Sequence, residues 1–194
     1  MERNPDWVRA VVWVAVFVGV LWTLEALDSV LLAGSLDAEG IRPRSEDGLL
    51  GILLAPLLHL GFGHLVANTV PTLVLGYLVL ASGIGRGVAA TAVIWLVSGI
   101  GVWLFSPTLS VTIGASGLIF GWLTYLLLRG FFTRSAWEII LGIALFLLYG
   151  STLLGVLPGQ PGISWQAHLF GALGGALAAV LLAPRARDRP LDLR

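Results

Sequence analysis

Gly114-Ala115-Ser116-Gly117-Leu118-Ile119-Phe120-Gly121 opens an apolar stretch that carries no charge until Arg129. A serine set between glycines at the head of a hydrophobic helix is a polar group where polar groups are costly. Further on, His168 opens another apolar stretch, and His64 with Asn68 lies near the start of a third. The surrounding composition tells what these stretches are. Of 194 residues, 57% are hydrophobic and 11% charged, with a mean hydropathy of +0.93. A soluble domain carries about 25% charged residues, so the chain reads as an integral membrane protein. Cysteine is absent, which excludes disulfides, thiolate nucleophiles and cysteine-ligated metals. No metal or cofactor is expected. Net charge is zero and no basic run forms a nucleic-acid surface.

A spanning helix needs roughly 20 apolar residues. Six stretches come close: 8–27, 61–82, 87–105, 116–130, 136–154 and 165–183. The first is longer than the usual ~7–15-residue signal-peptide core and lacks a small-residue cleavage site, so it reads as a retained span. The expected fold is an all-α polytopic membrane protein, a single domain over residues 1–194 with no separate soluble domain. Ser106-Pro107 ends the third span, the Gly155–Gly162 stretch with Pro158 and Pro161 ends the fifth, and Pro184 closes the sixth. All eleven basic residues are arginines, which reads as the composition of a GC-rich bacterial genome. Under six spans, Arg3, Arg9, Arg86, Arg129, Arg134, Arg185, Arg187, Arg189 and Arg194 share one side, against Arg42 and Arg44 on the other. That bias makes both termini cytoplasmic, in a bacterial cytoplasmic membrane.

With that topology, spans two, four and six all run from outside to inside. His64, Asn68, Ser116 and His168 then lie toward the same outer leaflet, and spans one, three and five contribute nothing comparable. Span four is also short: Ser116 to Leu128 is 13 residues, about 20 Å against a ~30 Å hydrocarbon core. Ser116 should therefore sit below the surface, reached by irregular backbone from Ser106 to Ala115 that must line a cavity or be buried in protein. GxxxG pairs Gly117/Gly121 and Gly171/Gly175 suit close packing of spans four and six. Each polar residue has a bland alternative. Ser116 could be a packing residue bonded to its own helix. His64 and Asn68, four apart on one face, could form an interhelical hydrogen bond worth about 0.6 kcal/mol. His59 could simply anchor a loop. Their shared depth favours chemistry.

His59-Leu60-Gly61-Phe62-Gly63-His64-Leu65-Val66-Ala67-Asn68 resembles the HxxxxHxxxN signature of rhomboid intramembrane serine proteases. Gly114-Ala115-Ser116-Gly117 resembles their GxSG nucleophile motif, and the stretch from Ala167 through His168 and Gly171 to Gly175 their AHxxGxxxG motif. The resemblance implies a six-helix rhomboid-like bundle with a Ser116–His168 dyad. It implies an oxyanion site including His64 and Asn68, and a structural His59 tying down the first loop. Gly114, Gly117, Phe120, Gly171 and Gly175 would support the site. No acidic residue lies near the outer ends of spans four or six, in keeping with a dyad. Many family members have tyrosine four residues after the nucleophile; here Phe120 keeps the ring without the hydroxyl. The family's first loop often carries a Trp-Arg pair, where this chain has Gly48-Leu49-Leu50-Gly51.

The implied activity is hydrolysis of peptide bonds in or near transmembrane helices of other membrane proteins, toward the outer side. The implied partners are such substrates and the lipid bilayer, with no nucleic acid. Two alternatives stand beside it. One is an inactive relative that binds membrane clients, although such relatives typically lose the serine or histidine. The other is a small transporter, which would need polar groups at both depths, while the inner halves offer only Glu138, near Arg134.

Overall fold

In a computed structural model, residues 5–159 and 162–182 are described. Among them the regular elements are helices, apart from one antiparallel bridge between Ile41 and Thr112. Seven α-helices follow in order: α1 (Asp6–Leu27), α2 (Asp47–Leu54), α3 (Gly61–Ala81), α4 (Ile84–Phe105), α5 (Ser116–Thr133), α6 (Ala136–Tyr149) and α7 (Trp165–Leu182). Among these, α1, α3, α4, α5 and α7 are long and apolar enough to cross a membrane, so the chain is an integral, multi-pass membrane protein. Arg3, Arg185, Arg187, Arg189 and Arg194, on which part of the expected orientation rests, lie outside the described residues, as do Pro161 and Pro184.

Three boundaries differ from the sequence expectation. The fourth span, expected over 116–130, extends further. It runs 18 residues to Thr133, about 27 Å, because Arg129 stays helical by pairing with Glu138 at 3.1 Å. The chain leaves the helix only at Arg134, whose φ is +50°. Glu138 thus partners Arg129 rather than the nearer-seeming Arg134. The fifth span, expected over 136–154, has a shorter α-helix, the 14 residues of α6. Gly150-Ser151-Thr152 follows, all weak helix formers, and the chain tightens into a 3₁₀ turn over Gly150–Val156. The first span continues past Leu27 as a π turn, Asp28–Leu32.

The most enclosed element is α5: 61% of its apolar window is buried, against 28–44% in the other candidate spans. It packs against α3, α4, α6 and α7. Leu118, Trp122 and Tyr125 meet Leu75 and Val79 of α3, Ile94 of α4 and Ala178 of α7 in the core. Glycine sets the distance between α5 and α7. A methyl group on Gly171 would land on the carbonyl of Gly117, and one on Gly175 on the carbonyl of Gly121. The two backbones are therefore in direct contact, which only hydrogen side chains allow.

The segment before α3 is tied down by its own backbone. Gly48 and Gly51 let α2 lie on the main chain of Arg42 and Gly40, at the place where the family's Trp-Arg pair is absent. Trp103 Nε1 donates to Ser45 O at 2.9 Å, Trp95 Nε1 to Ile52 O at 2.8 Å, and Arg44 Nη1 to Leu104 O at 2.7 Å. These bonds fasten the segment to α4.

Gly171→Val should lower stability by about 1–3 kcal/mol through overpacking. Gly19→Ala, at a lipid-facing position of α1 with nothing within 4 Å, should be neutral or slightly stabilising. Thermal unfolding in detergent measures both. Equal losses would contradict backbone contact between α5 and α7.

Candidate active site

Ser116 is the first residue of α5, and the N-cap position before it is Ala115, which has no side-chain acceptor. The first N–H groups of a helix have no partner within it. Serine or aspartate at the cap would fill that gap; alanine leaves it open. Among the described residues, the N–H groups of Ser116 and Gly117 make no backbone hydrogen bond. They point with the positive end of the helix dipole.

His168 lies one turn into α7. Ser164 starts that helix by accepting the Ala167 N–H on its hydroxyl at 3.3 Å, which fixes where the histidine falls. Ser98 of α4 donates to the Ala167 carbonyl at 3.0 Å, so three helices converge beside it. The imidazole is 7% exposed. Its Nε2 lies 2.9 Å from Ser116 Oγ, and its Nδ1 lies 3.0 Å from the carbonyl oxygen of Gly155. A carbonyl can only accept, so Nδ1 carries the proton. Nε2 then presents its lone pair to the Ser116 hydroxyl. Phe120, one turn after Ser116, stacks on the imidazole with ring centroids 4.0 Å apart and planes 9° apart.

Gly155 was read from sequence only as part of a helix break. A β-carbon there would approach His168 Nδ1 to 2.7 Å and the Phe120 ring to 3.1 Å. The absence of a side chain is what lets the carbonyl reach the ring. The one sequence signal was its glycine identity, and the contact it serves is thirteen residues away.

His64 of α3 lies over the loop that leads to Ser116. The Leu60 N–H donates to its Nδ1 at 3.4 Å, which leaves the proton of the neutral ring on Nε2, a donor. The ring occupies the space a β-carbon of Gly114 would need, with Cε1 at 2.6 Å and Nε2 at 2.9 Å from it. Gly114 also has φ +119°, outside the usual range of any residue with a side chain. Asn68 is buried at 5% exposure. Its Nδ2 donates to the His64 carbonyl at 2.9 Å, not to Ser116 or His168. His59 is 2% exposed and meets the His64 ring edge-on at 5.1 Å. Neither of its nitrogens has a hydrogen-bond partner. Burial, with His64 beside it, pushes its pKa down to about 4, so the ring is neutral at pH 7.

The loop from Ser106 to Ala115 is clamped from the first-loop side. Ile41 and Thr112 exchange backbone bonds at 3.0 and 3.1 Å, and Gly114 N donates to Ala55 O at 2.8 Å. The loop lines a cavity of about 600 Å³ shared with Leu60, His64, Ser164 and Gln166. Two acids passed over in the sequence reading, Glu25 and Asp28 at the end of α1, are also buried. They accept from Ser29 Oγ at 2.7 Å and from Leu36 N at 2.9 Å. Among the described residues, no cluster of three histidine or acidic side chains could hold a metal.

The chain matches the Rhomboid domain over residues 46–185. Uncharacterized proteins of Mycobacterium tuberculosis and Mycobacterium bovis are each 47% identical to it over 199 residues, covering 97% of this chain and 82% of theirs. An uncharacterized protein of Mycobacterium leprae is 45% identical over 201 residues, covering 98% of this chain and 78% of its own. With the family domain spanning most of the described helices, and with α5 and α7 carrying its serine and histidine motifs, the chain belongs to the rhomboid family.

Proposed function

We propose that this protein is an intramembrane serine endopeptidase that cleaves other membrane proteins in or near their transmembrane helices. The observation that carries the reading is the hydrogen-bonded series Gly155 O, His168 Nδ1–Nε2, Ser116 Oγ, at 3.0 and 2.9 Å. A base within hydrogen-bond reach of a hydroxyl, and itself oriented by a third group, is the arrangement of an activated nucleophile. Ser116 attacks the scissile carbonyl as His168 Nε2 takes its proton, and the imidazolium returns it to the leaving amine. In the second half, water takes the place of the serine hydroxyl, and the neighbouring polar-lined cavity supports its supply. The negative oxygen of the tetrahedral intermediate meets the free N–H groups at the start of α5 and, across Gly114, the His64 Nε2–H. The second Asn68 N–H is a further candidate donor. Phe120 holds the imidazole plane by stacking alone.

The reading extends to topology. Residues 136–156 combine 14 α-helical and seven 3₁₀ residues, a length of roughly 35 Å, enough for a sixth crossing of a ~30 Å core. Six crossings put Arg86, Arg129 and Arg134 on the cytoplasmic side with both termini, and Ser116 toward the outer side.

Ser116→Ala and His168→Ala should each abolish cleavage of a model transmembrane substrate while leaving the thermal unfolding profile intact. Measurable proteolysis by either purified variant would remove the dyad. His64→Ala should lower kcat by on the order of 100-fold with little change in KM, because its donor serves a charge present only in the transition state. Asn68→Ala should act in the same direction and less strongly. A pure KM effect would move that residue out of the oxyanion site.

His59 supports His64 from behind, and its proposed role is structural. Its folded pKa of about 4 lies below the ordinary 6.5. The unfolded chain therefore binds the extra proton first, and stability falls as pH drops from about 6.5 toward 4. His59→Phe, which cannot titrate, should flatten that part of the stability profile. An unchanged pH slope would count against the buried neutral imidazole.

A further inference from the structure

At the end of the bundle opposite Ser116, a cavity of about 210 Å³ opens between Leu78 of α3 and Ser82 just after it, Leu126 and Arg129 of α5, and Trp137 and Glu138 of α6. Its polar wall is the Arg129 guanidinium with the Glu138 carboxylate and Ser82. The Arg129 side chain is 12% exposed, and its Nη2 donates to Glu138 Oε1 at 3.1 Å. Its Nε–H is buried and has no acceptor. The other Glu138 oxygen accepts from Thr133 Oγ1 at 2.7 Å. A buried donor on a charged group without an acceptor is costly, and the residue that carries it lines the cavity. Arg86, in the first turn of α4, and Arg134, in the turn after α5, lie at the same end of the bundle. There, three guanidinium groups stand against the single Glu138 carboxylate on these turns.

We infer that this cavity binds the phosphate of an anionic phospholipid headgroup through Arg129. Arginine matches phosphate oxygens with paired donors, and basic pockets between helices at the cytoplasmic end are where such headgroups dock. A soluble phosphate would share that chemistry. The lipid is favoured by the rest of the wall: Leu78 and Leu126 offer nothing to a free anion but suit a glycerol backbone and the first methylenes of its chains. Trp137, 71% exposed beside the cavity, is the side chain favoured at the headgroup level of a bilayer. Glu138 then acts as a competitor that occupies part of the guanidinium while the site is empty. The site is independent of the protease chemistry and shares no residue with it.

The test is native mass spectrometry of the delipidated full chain titrated with dioleoyl phosphatidylglycerol or dioleoyl phosphatidylcholine. Wild type should bind one phosphatidylglycerol at least about five-fold more tightly than phosphatidylcholine, the worth of one arginine at a membrane surface. Arg129→Gln should erase the preference, and Arg129→Gln/Glu138→Gln, which leaves a neutral pair able to fold, should erase it equally. Glu138→Gln alone should strengthen phosphatidylglycerol binding, because it releases Nη2. A purely structural ion pair predicts loss on both sides, so weakened binding by Glu138→Gln overturns the proposal. So does a preference that survives both Arg129 variants, or none in wild type. Inorganic phosphate at millimolar concentration should leave the bound lipid in place; full displacement would assign the site to a soluble anion and overturn the lipid.

Discussion

Contact between the backbones of α5 and α7 is the constraint on which the rest depends. Helices in lipid gain nothing from burying apolar surface against one another, so they associate by close packing. Gly117 and Gly121 meet Gly171 and Gly175 without an intervening side chain, and Ser98 holds the Ala167 carbonyl where the helices converge. The spacing of the two axes decides how far the first turn of α7 stands from the start of α5. A serine side chain and an imidazole are short. They meet at 2.9 Å because no methyl group lies between the helices that carry them.

Close packing brings the histidine to the serine but leaves its tautomer open. A carboxylate would fix it at the expense of burying another charge in the membrane, which is costly. Here a main-chain carbonyl does so. The 3₁₀ turn after α6 loosens the helical ladder, and Gly155 turns its oxygen to Nδ1 at 3.0 Å. The same device recurs at His64, where the Leu60 N–H takes Nδ1 and leaves Nε2 as a donor. The two imidazoles end in opposite states, one presenting a lone pair and the other a proton. Two backbone contacts set that difference. Phe120 completes the arrangement by covering one face of His168. A stacked ring resists tilting, and a tilt would lengthen both hydrogen bonds together.

The positions of Ser116, His168, His64 and Asn68 at one end of alternate spans were legible from sequence, since membrane helices are long, straight and of known rise. The glycine spacing on α5 and α7 was legible for the same reason. What was not legible depends on contacts across the chain. The span expected over 116–130 ends later: the pairing of Arg129 with Glu138, nine residues on, accompanies an α5 that runs to Thr133. The α6 helix ends at Tyr149, short of the apolar stretch that contains it, because hydropathy does not distinguish an α turn from a 3₁₀ turn. Gly155 looked like punctuation. The first loop lacked the expected Trp-Arg pair, and its shape comes instead from Gly48 and Gly51 lying on main chain about six and eleven residues back, a contact no local pattern announces. His59 forms no hydrogen bond with that loop and instead backs His64.

The helix that lies before the matched domain is also tied to the site. Leu21 of α1 packs with Leu65 and Ala115, the residue before the serine, and Trp22 Nε1 donates to Thr69 of α3 at 3.1 Å. Beyond Leu21 the same stripe turns polar, with Glu25 and Asp28 buried and holding Ser29 and Leu36. Asp37 follows in the next turn. Burial, then Asp28 and Glu25, raise its pKa above the ordinary value, so the fold favours its protonated form. Stability from this corner is present at low pH and declines as pH rises through the shifted value. His59 has the opposite sign, since its neutral form is favoured and stability there grows with pH. The Ser116 end of the bundle therefore carries two titrating elements that oppose each other across the acidic range. The one that packs against His64 is the one that acid weakens.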